Sequence, residues 1–302
     1  MAGWSHQKRE QVEIAFYQFL NRCYINSKDH GRICLGTHLY QGQIDAITEI
    51  FDALEEDVHK IYFLKARQLG ISTIIRALII FLLGILKGLK GAIVFDTDSN
   101  RVEARAEIEV MIEDLPATLK FPAIKGSNRA GLTLKNDSKV LFMSAGIKKT
   151  KISGALGRSV GLSLAHMSEL CSYDNDEGLE AFEQSLSDEN PDRLYIYEST
   201  ARGFNKWWKM WQEARKDPAH CRCVFIGWWA KQSQRIDREH MDFHVYGVQP
   251  PTEKELEKIA AVRDQYGVQV TDEMLAWIRR KMDPTARSDE DEQTEFAGSA
   301  ER

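Results

Sequence analysis

At 302 residues the chain is long enough for one large α/β domain, or for a domain of about 200 residues with a smaller appendage, and two full catalytic domains would be a tight fit. A composition of 43% hydrophobic and 28% charged residues excludes global disorder. The net charge of -5 excludes a protein that coats nucleic acid through bulk basic charge, so any DNA contact must be local.

The chain opens on a polar decapeptide with no charged-then-apolar leader, and residues 7–21 space Val12, Ile14, Ala15, Phe16, Phe19 and Leu20 for a helix. A polar, Gly-containing stretch, residues 26–36, reads as a loop. Cys23, His30, Cys34 and His38 lie in and beside it, but their spacing matches no ordinary zinc finger. The five cysteines, odd in number and irregularly spaced, argue for a reducing compartment.

A second helix is expected over residues 39–54, a strand over 61–64, a helix over 72–87 and a strand over 92–95. The longest apolar run, residues 74–86, is interrupted by Arg76 and is too short to span a bilayer, so a cytosolic protein without a membrane partner is expected. A helix over residues 101–113 leads into a Pro- and Gly-punctuated connection, 115–131. Strands are expected at 133–134, 140–143 and 161–166, a helix at 178–186, a strand at 194–197, an aromatic-rich helix at 205–214 and a last strand at 224–228. Cys221 and Cys223, two apart, suit one face of that final strand region. Such alternation implies a mostly parallel sheet covered by helices on both faces.

Beyond Trp229, Pro250 and Pro251 close a polar connection. Thr252 stands three residues before Glu255 as a capping box for a helix over 252–265, and another helix follows over 272–282. The remaining tail is acidic and polar, and reads as disordered. Two basic groups, Lys148, Lys149 and Lys151, and Arg279, Arg280 and Lys281, read either as a local DNA contact or as solvated surface charge.

The most informative segment is Lys65-Ala66-Arg67-Gln68-Leu69-Gly70-Ile71-Ser72-Thr73, set between a buried strand and an apolar helix. That is the context of a phosphate-binding loop, in which backbone N–H groups and the positive end of the helix face an anion. Gly70 allows close backbone approach, and Ser72 holds the position whose hydroxyl ligates Mg²⁺ in nucleotide complexes. The usual lysine position holds Ile71 and the usual first glycine position holds Lys65. A charged donor to the β- and γ-phosphates must therefore come from Arg67 or Lys65, and Arg67 is the preferred choice.

A later apolar run, Gly161-Leu162-Ser163-Leu164-Ala165-His166-Met167-Ser168-Glu169, ends on a carboxylate. Glu169 is the candidate to orient the attacking water. Ser168 stands where an aspartate is commonest, giving a weaker or water-mediated metal contact. A third strand runs into Glu198-Ser199-Thr200-Ala201-Arg202-Gly203, where Ser199 or Thr200 can sense a γ-phosphate from the carboxyl edge of the sheet.

The order Arg67-Gln68-Leu69-Gly70-x-Ser72-Thr73, then Ser168-Glu169, then Glu198-Ser199-Thr200-Ala201-x-Gly203 resembles the large terminase family of tailed phages. In that family a Walker A loop with an early arginine, a Ser-Glu Walker B and a Glu-Ser-Thr coupling segment are familiar. Leu39-Tyr40-Gln41-Gly42-Gln43 is similar to the family's adenine-reading segment, with Gln43 the better match. The resemblance covers roughly residues 35 to 285. It implies a P-loop NTPase of the RecA/ASCE-like α/β class with a small helical C-terminal appendage. Its expected divisions are an N-terminal helical segment (1–36), an ATPase domain (37–229), a helical linker or subdomain (230–285) and an acidic tail (286–302).

The resemblance further implies ATP and Mg²⁺ as cofactors, with Lys65, Arg67, Gln68, Gly70, Ser72 and Thr73 around the nucleotide. Glu169 and Thr200 would be catalytic, and Arg158 would act on a neighbouring subunit's nucleotide, with Arg202 its rival. The partners implied are double-stranded DNA, the portal protein, the small terminase subunit and further copies in a ring, in the host cytoplasm. The family's RNase H-like nuclease needs strand runs not found after Trp229, so DNA cutting is not expected of this chain. Ile71 and Ser168 motivate an alternative, a degenerate P-loop protein that binds nucleotide or a packaging partner without hydrolysis. A helicase is disfavoured, since no second RecA-like domain and no helicase-type acidic box is found.

Overall fold

Apolar strand runs and helical-period segments alternate along the chain, and the fold follows from how each pairs its apolar face. The structure, a computed structural model, describes residues 4–27, 30–145, 161–173 and 176–283. Helix α1 (His6–Leu20) is capped by the Ser5 hydroxyl and leads to two short antiparallel strands, β1 (Tyr24–Ser27) and β2 (Gly31–Cys34). The stretch expected as loop therefore contains strand pairing. Its strands are only four residues long and half exposed, leaving little apolar alternation to read.

Next come α2 (Gln41–Glu55), β3 (Lys60–Lys65), α3 (Ile71–Ile85), β4 (Lys90–Phe95) and α4 (Asp98–Glu113). The connection that follows holds a strand absent from the expectation, β5 (Ile124–Asn128), polar and largely exposed at the sheet edge. After it run β6 (Gly131–Leu134), β7 (Lys139–Ser144), β8 (Leu164–Ser168), α5 (Asp176–Glu183), β9 (Leu194–Ser199), α6 (Lys206–Lys216) and β10 (Cys221–Ile226).

Eight strands form one sheet in the order β10-β3-β9-β8-β4-β7-β6-β5. Pairing from β10 through β7 is parallel, and β6 and β5 add antiparallel strands at one edge. The expected mostly parallel α/β sheet is thus present, with β9 inserted between the strand that precedes the candidate phosphate loop and the strand that ends at Ser168. Strand alternation divides the sheet's side chains between two cores. Ile61, Phe63, Leu164, Leu194 and Ile196 face α1, α2 and α3, where the rings of Phe16 and Phe19 pack at a tilt against Phe81 at centroid distances of 5.3 and 5.4 Å. Tyr62, Leu64, Ala165, Met167, Tyr195 and Tyr197 face α5 and α6, with Trp207 and Trp211 filling the space.

Three C-terminal helices follow: α7 (Met241–Tyr246), not expected from the sequence, α8 (Glu253–Tyr266) and α9 (Asp272–Met282). The capping box that opens α8 is formed, with Thr252 N donating to the Glu255 carboxylate at 2.7 Å and Glu255 N donating to the Thr252 hydroxyl at 3.3 Å. Helix α8 buries no residue fully and stands off from α9 across a cavity of about 530 Å³ lined by Trp228, Trp229 and Tyr266. Among the described residues no helix is long and apolar enough to cross a membrane.

What ties α8 down is Arg279, one of the residues read above as a DNA contact or solvated charge. Its guanidinium donates to both Glu255 oxygens (2.8 and 2.9 Å) and to the carbonyls of Tyr246, Gln249 and Pro250. The Arg279 hydrogen bond lowers the Glu255 pKa to about 2. The tether's contribution is therefore complete above pH 4.5, the ordinary carboxylate value, and is lost as the pH falls toward about 2. Replacing Arg279 with Ala should loosen α8 by about 1.5–3 kcal/mol, the worth of charge-assisted hydrogen bonds. Hydrogen exchange across α8 should then run roughly ten- to a hundredfold faster while exchange in β3, β8 and β9 stays unchanged. Unaltered exchange in α8 would rule out the tether.

Candidate functional site

On the α3 face of the sheet, three adjacent strands change character toward their carboxyl ends. The apolar positions Ile61 and Phe63 are followed by Lys65 on β3, Leu194 and Ile196 by Glu198 on β9, and Leu164 by His166 and Ser168 on β8. The parallel register sets Glu198 opposite Phe63 on one side and Ser168 on the other, so the three strands carry these polar groups to one place.

Glu198 is its centre. The side chain is wholly buried, and one carboxylate oxygen accepts from Ser168 Oγ at 2.7 Å and from His166 Nε2 at 3.2 Å. The other lies 3.3 Å from Lys65 Nζ, and the Ser72 hydroxyl of α3 is close enough to favour the ionised carboxylate. Burial alone would raise the Glu198 pKa, but the Lys65 charge and these donors more than offset it and hold the pKa well below the ordinary value. Lys65 is the mirror case: burial disfavours its ammonium, yet Glu198 and Glu169 overcome that and hold its pKa above normal. Burial lowers the His166 pKa, leaving a neutral ring. An ionised carboxylate only accepts, so Nε2 carries the ring proton.

Lys65 Nζ also meets Glu169 Oε1 at 2.9 Å and so links the buried carboxylate to the surface of a cleft. Glu169 follows the last residue of β8 with φ 56°, ψ 47°, a left-handed conformation that costs a non-glycine residue on the order of 1–3 kcal/mol and turns the chain sharply out of the sheet. The cleft, about 310 Å³, is lined by Arg67, Gln68, Asp96, Glu169, Ser172, Thr200 and Arg202. These come from the carboxyl ends of β3, β4, β8 and β9, the crevice where open α/β sheets bind ligands.

The loop from β3 to α3 is fixed from behind. Ala66 N donates to Ile226 O at 2.9 Å, and Gln68 and Gly70 take left-handed φ values of 60° and 67°. Gln43 caps α2 by accepting from Tyr40 N at 2.9 Å and donates from Nε2 to Gly70 O at 3.1 Å. A side chain at Gly70 would collide with that Gln43 amide, so glycine is required there by both conformation and space. Helix α3 begins at Ile71, directing its unpaired N-terminal N–H groups into the loop.

No protein-family model and no curated protein matches the sequence. Among solved structures the chain is similar to the HK97 bacteriophage large terminase, at 15% identity and a TM-score of 0.55 over 87% of this chain and 55% of that one. The chain has the fold of a phage large terminase. It spans 55% of that terminase's length. Other similar structures are a variant of the Thermus phage P74-26 large terminase ATPase domain (17% identity, TM-score 0.46, 60% of this chain and 81% of that one) and the large terminase of another thermophilic bacteriophage in complex with ATP-γ-S (10%, 0.49, 65% and 46%).

Within this terminase fold, five of the residues named from sequence, Arg67, Gln68, Glu169, Thr200 and Arg202, meet at one cleft. Gly70 and Ser72 stand at the start of α3, and Thr73 accepts from Arg76 at 3.3 Å along the helix. Gln43 is buried, with both ends of its amide bonded to backbone, so it braces the loop in this arrangement. Lys65 lies inside, between two carboxylates, while Arg67 lies at the cleft wall. Ser168 bonds Glu198. Arg158, Lys148, Lys149 and Lys151 fall outside the described residues, as does the acidic tail.

Glu198, His166 and Asp96 were not singled out from sequence as site residues. Their one available signal was a titratable residue within or directly after an apolar run, at 93–96, 164–166 and 194–198. Among the described residues no cluster of three His, Cys, Asp or Glu side chains forms a metal cage. The site instead offers hydroxyls and single carboxylates, the set that suits an ion bound mainly through phosphates and water.

Replacing Lys65 with Met leaves Glu198 buried without its cation, which should cost about 3–5 kcal/mol of stability. The double variant Lys65→Met, Glu198→Gln removes both charges and should recover most of that loss. Urea unfolding of the two proteins and the parent provides the comparison. A loss below about 1 kcal/mol for Lys65→Met, the scale of an exposed pair, would contradict a buried charge balance.

Proposed function

We propose that this chain is the ATP-hydrolysing motor of a phage DNA-packaging machine, acting with Mg²⁺. The observation that carries the reading is the placement of Glu169 at the carboxyl end of β8, across one polar cleft from the loop that opens α3. Phosphoryl transfer to water needs an anion cradle, a cation to neutralise developing charge and a group that orients the nucleophile. The α3 N-terminus and the backbone of residues 66–71 form the cradle, and Arg67 provides charge-assisted donors toward the phosphates. Ser72 would help hold Mg²⁺, which supplies charge neutralisation between phosphates when bound. Glu169 orients water and accepts its proton, for which its contact with Lys65 must loosen.

Thr200 passes the state of the nucleotide to α6. In support, the turn after Glu169 is tied to the segment before α6 at several points. Cys171 N donates to Ser199 Oγ at 2.9 Å, and Asn205 Nδ2 donates to the carbonyls of Cys171 and Arg202. Arg202 donates to Ser172 Oγ at 3.3 Å and lines the chain's own cleft. We assign the action on a neighbouring subunit's nucleotide to Arg158, with Arg202 as the second candidate. Double-stranded DNA, a portal protein, a small terminase subunit and further copies of the chain in a ring are the partners this reading requires, in the host cytoplasm.

Glu169→Gln keeps the shape of the side chain and removes its basicity. Steady-state hydrolysis measured with Mg²⁺ and DNA on the assembled ring should fall by at least about a hundredfold, within the usual worth of a general base. ATP affinity should remain within about threefold. Turnover equal to the parent's would refute the role of Glu169, and a parent ring that binds ATP without turnover would favour a degenerate nucleotide-binding protein.

A further inference from the structure

Resting on the ATPase reading above, one feature of the candidate site calls for a different partner. A magnesium ion held between nucleotide phosphates needs protein carboxylate charge nearby, and at the end of β8 the residue in that place is Ser168, which has none. Glu169 does not fill the gap, because its left-handed backbone turns it away from the sheet toward the cleft. A buried carboxylate stands directly beside Ser168 on the neighbouring strand β9, while Asp96, after β4 on the other side, lines the open cleft. Glu198 is in register with Ser168, accepts its hydroxyl proton at 2.7 Å and has the Ser72 hydroxyl of α3 close enough to help lower its pKa.

We propose that Glu198 supplies the metal-site carboxylate that Ser168 lacks, so that the acidic half of the magnesium site comes from β9 while the water-orienting residue comes from β8. The chemistry of the donor set fits. A serine hydroxyl has one proton and two lone pairs. When Ser72 gives its proton to Glu198, both lone pairs remain for a cation, and the carboxylate charge strengthens that oxygen as a donor.

Glu198 retains capacity as well. Its oxygen nearest Lys65 is buried, with an ion pair at 3.3 Å but no aligned hydrogen bond, so that oxygen keeps unused lone pairs. Lys65 then acts as the counter-charge that keeps Glu198 ionised while the site is open, and His166 and Ser168 fix the carboxylate's orientation from the opposite side.

The test reads metal dependence of binding. Affinity for ADP is measured by calorimetry with EDTA and with Mg²⁺, on the full chain and on Glu198→Gln. The parent should gain at least about tenfold in affinity from Mg²⁺. Glu198→Gln should keep its EDTA affinity within about threefold of the parent and lose most of the Mg²⁺ gain. Adding Ser168→Asp to that variant should restore the gain by returning a carboxylate to β8. A folded Glu198→Gln with the parent's Mg²⁺ gain would overturn the assignment alone. So would equal weakening in EDTA and Mg²⁺ that Ser168→Asp does not reverse. A parent chain that binds no nucleotide would overturn the ATPase reading and this assignment with it.

Should Glu198→Gln fail to fold, Mn²⁺ and ADP bound to a Glu169→Gln chain labelled with ¹³C at glutamate carboxyls provide the answer by electron–nuclear double resonance. A carboxyl carbon coupled to Mn²⁺ supports the assignment, and its absence overturns it.

Discussion

The structure around the cleft depends on one constraint, the neutralisation of a carboxylate taken wholly out of water. An ionised Glu198 in that position would cost several kcal/mol unless a cation and hydrogen-bond donors replaced its hydration. Lys65 brings the charge, and Ser72, Ser168 and His166 bring the donors. These residues lie on β3, α3 and β8, so satisfying Glu198 fixes the carboxyl ends of three strands relative to the first turn of α3. The loop between β3 and α3 inherits its position from that arrangement.

A second group of contacts holds the loop from its other side. Gln43 reaches from α2 to the carbonyl of Gly70, and Gly42 lies so close to Ile226 and Ala230 that a larger residue would push α2 off β10. The loop therefore sits between a charged cluster and an amide brace. Arg67 and Gln68 extend to the cleft from a backbone already set, which limits the reorganisation an anion would demand when it binds.

The turn after β8 transmits any change at Glu169 outward. It leaves the sheet through a left-handed residue and is fastened at once to Ser199, Asn205 and Arg202. Movement of Glu169 against Lys65 would thus be felt by the connection between β9 and α6. The same contacts explain why Ser199, though written into a hydroxyl-rich segment, is occupied by the backbone of Cys171 while Thr200 lines the cleft.

The alternation of strands and helices, the strand-loop-helix setting of residues 65–73 and the position of Glu169 at a strand end were legible in the sequence because each is carried by a local pattern of polarity. The β1 and β2 pair, β5 and α7 were not, since they are short or largely exposed and lack the apolar periodicity that marks an element. Arg279 read as a surface charge because nothing local announces that it will meet Glu255 and three carbonyls.

Ser168 read as a weak metal contact for the same reason. Strand order alone puts β9 between β3 and β8, and strand register alone sets Glu198 beside Ser168. The sequence by itself determined which residues carry polar chemistry at the ends of apolar strands. Only the tertiary structure decided which of them share a charge, because hydrogen bonding and ion pairing depend on neighbours thirty to a hundred positions apart.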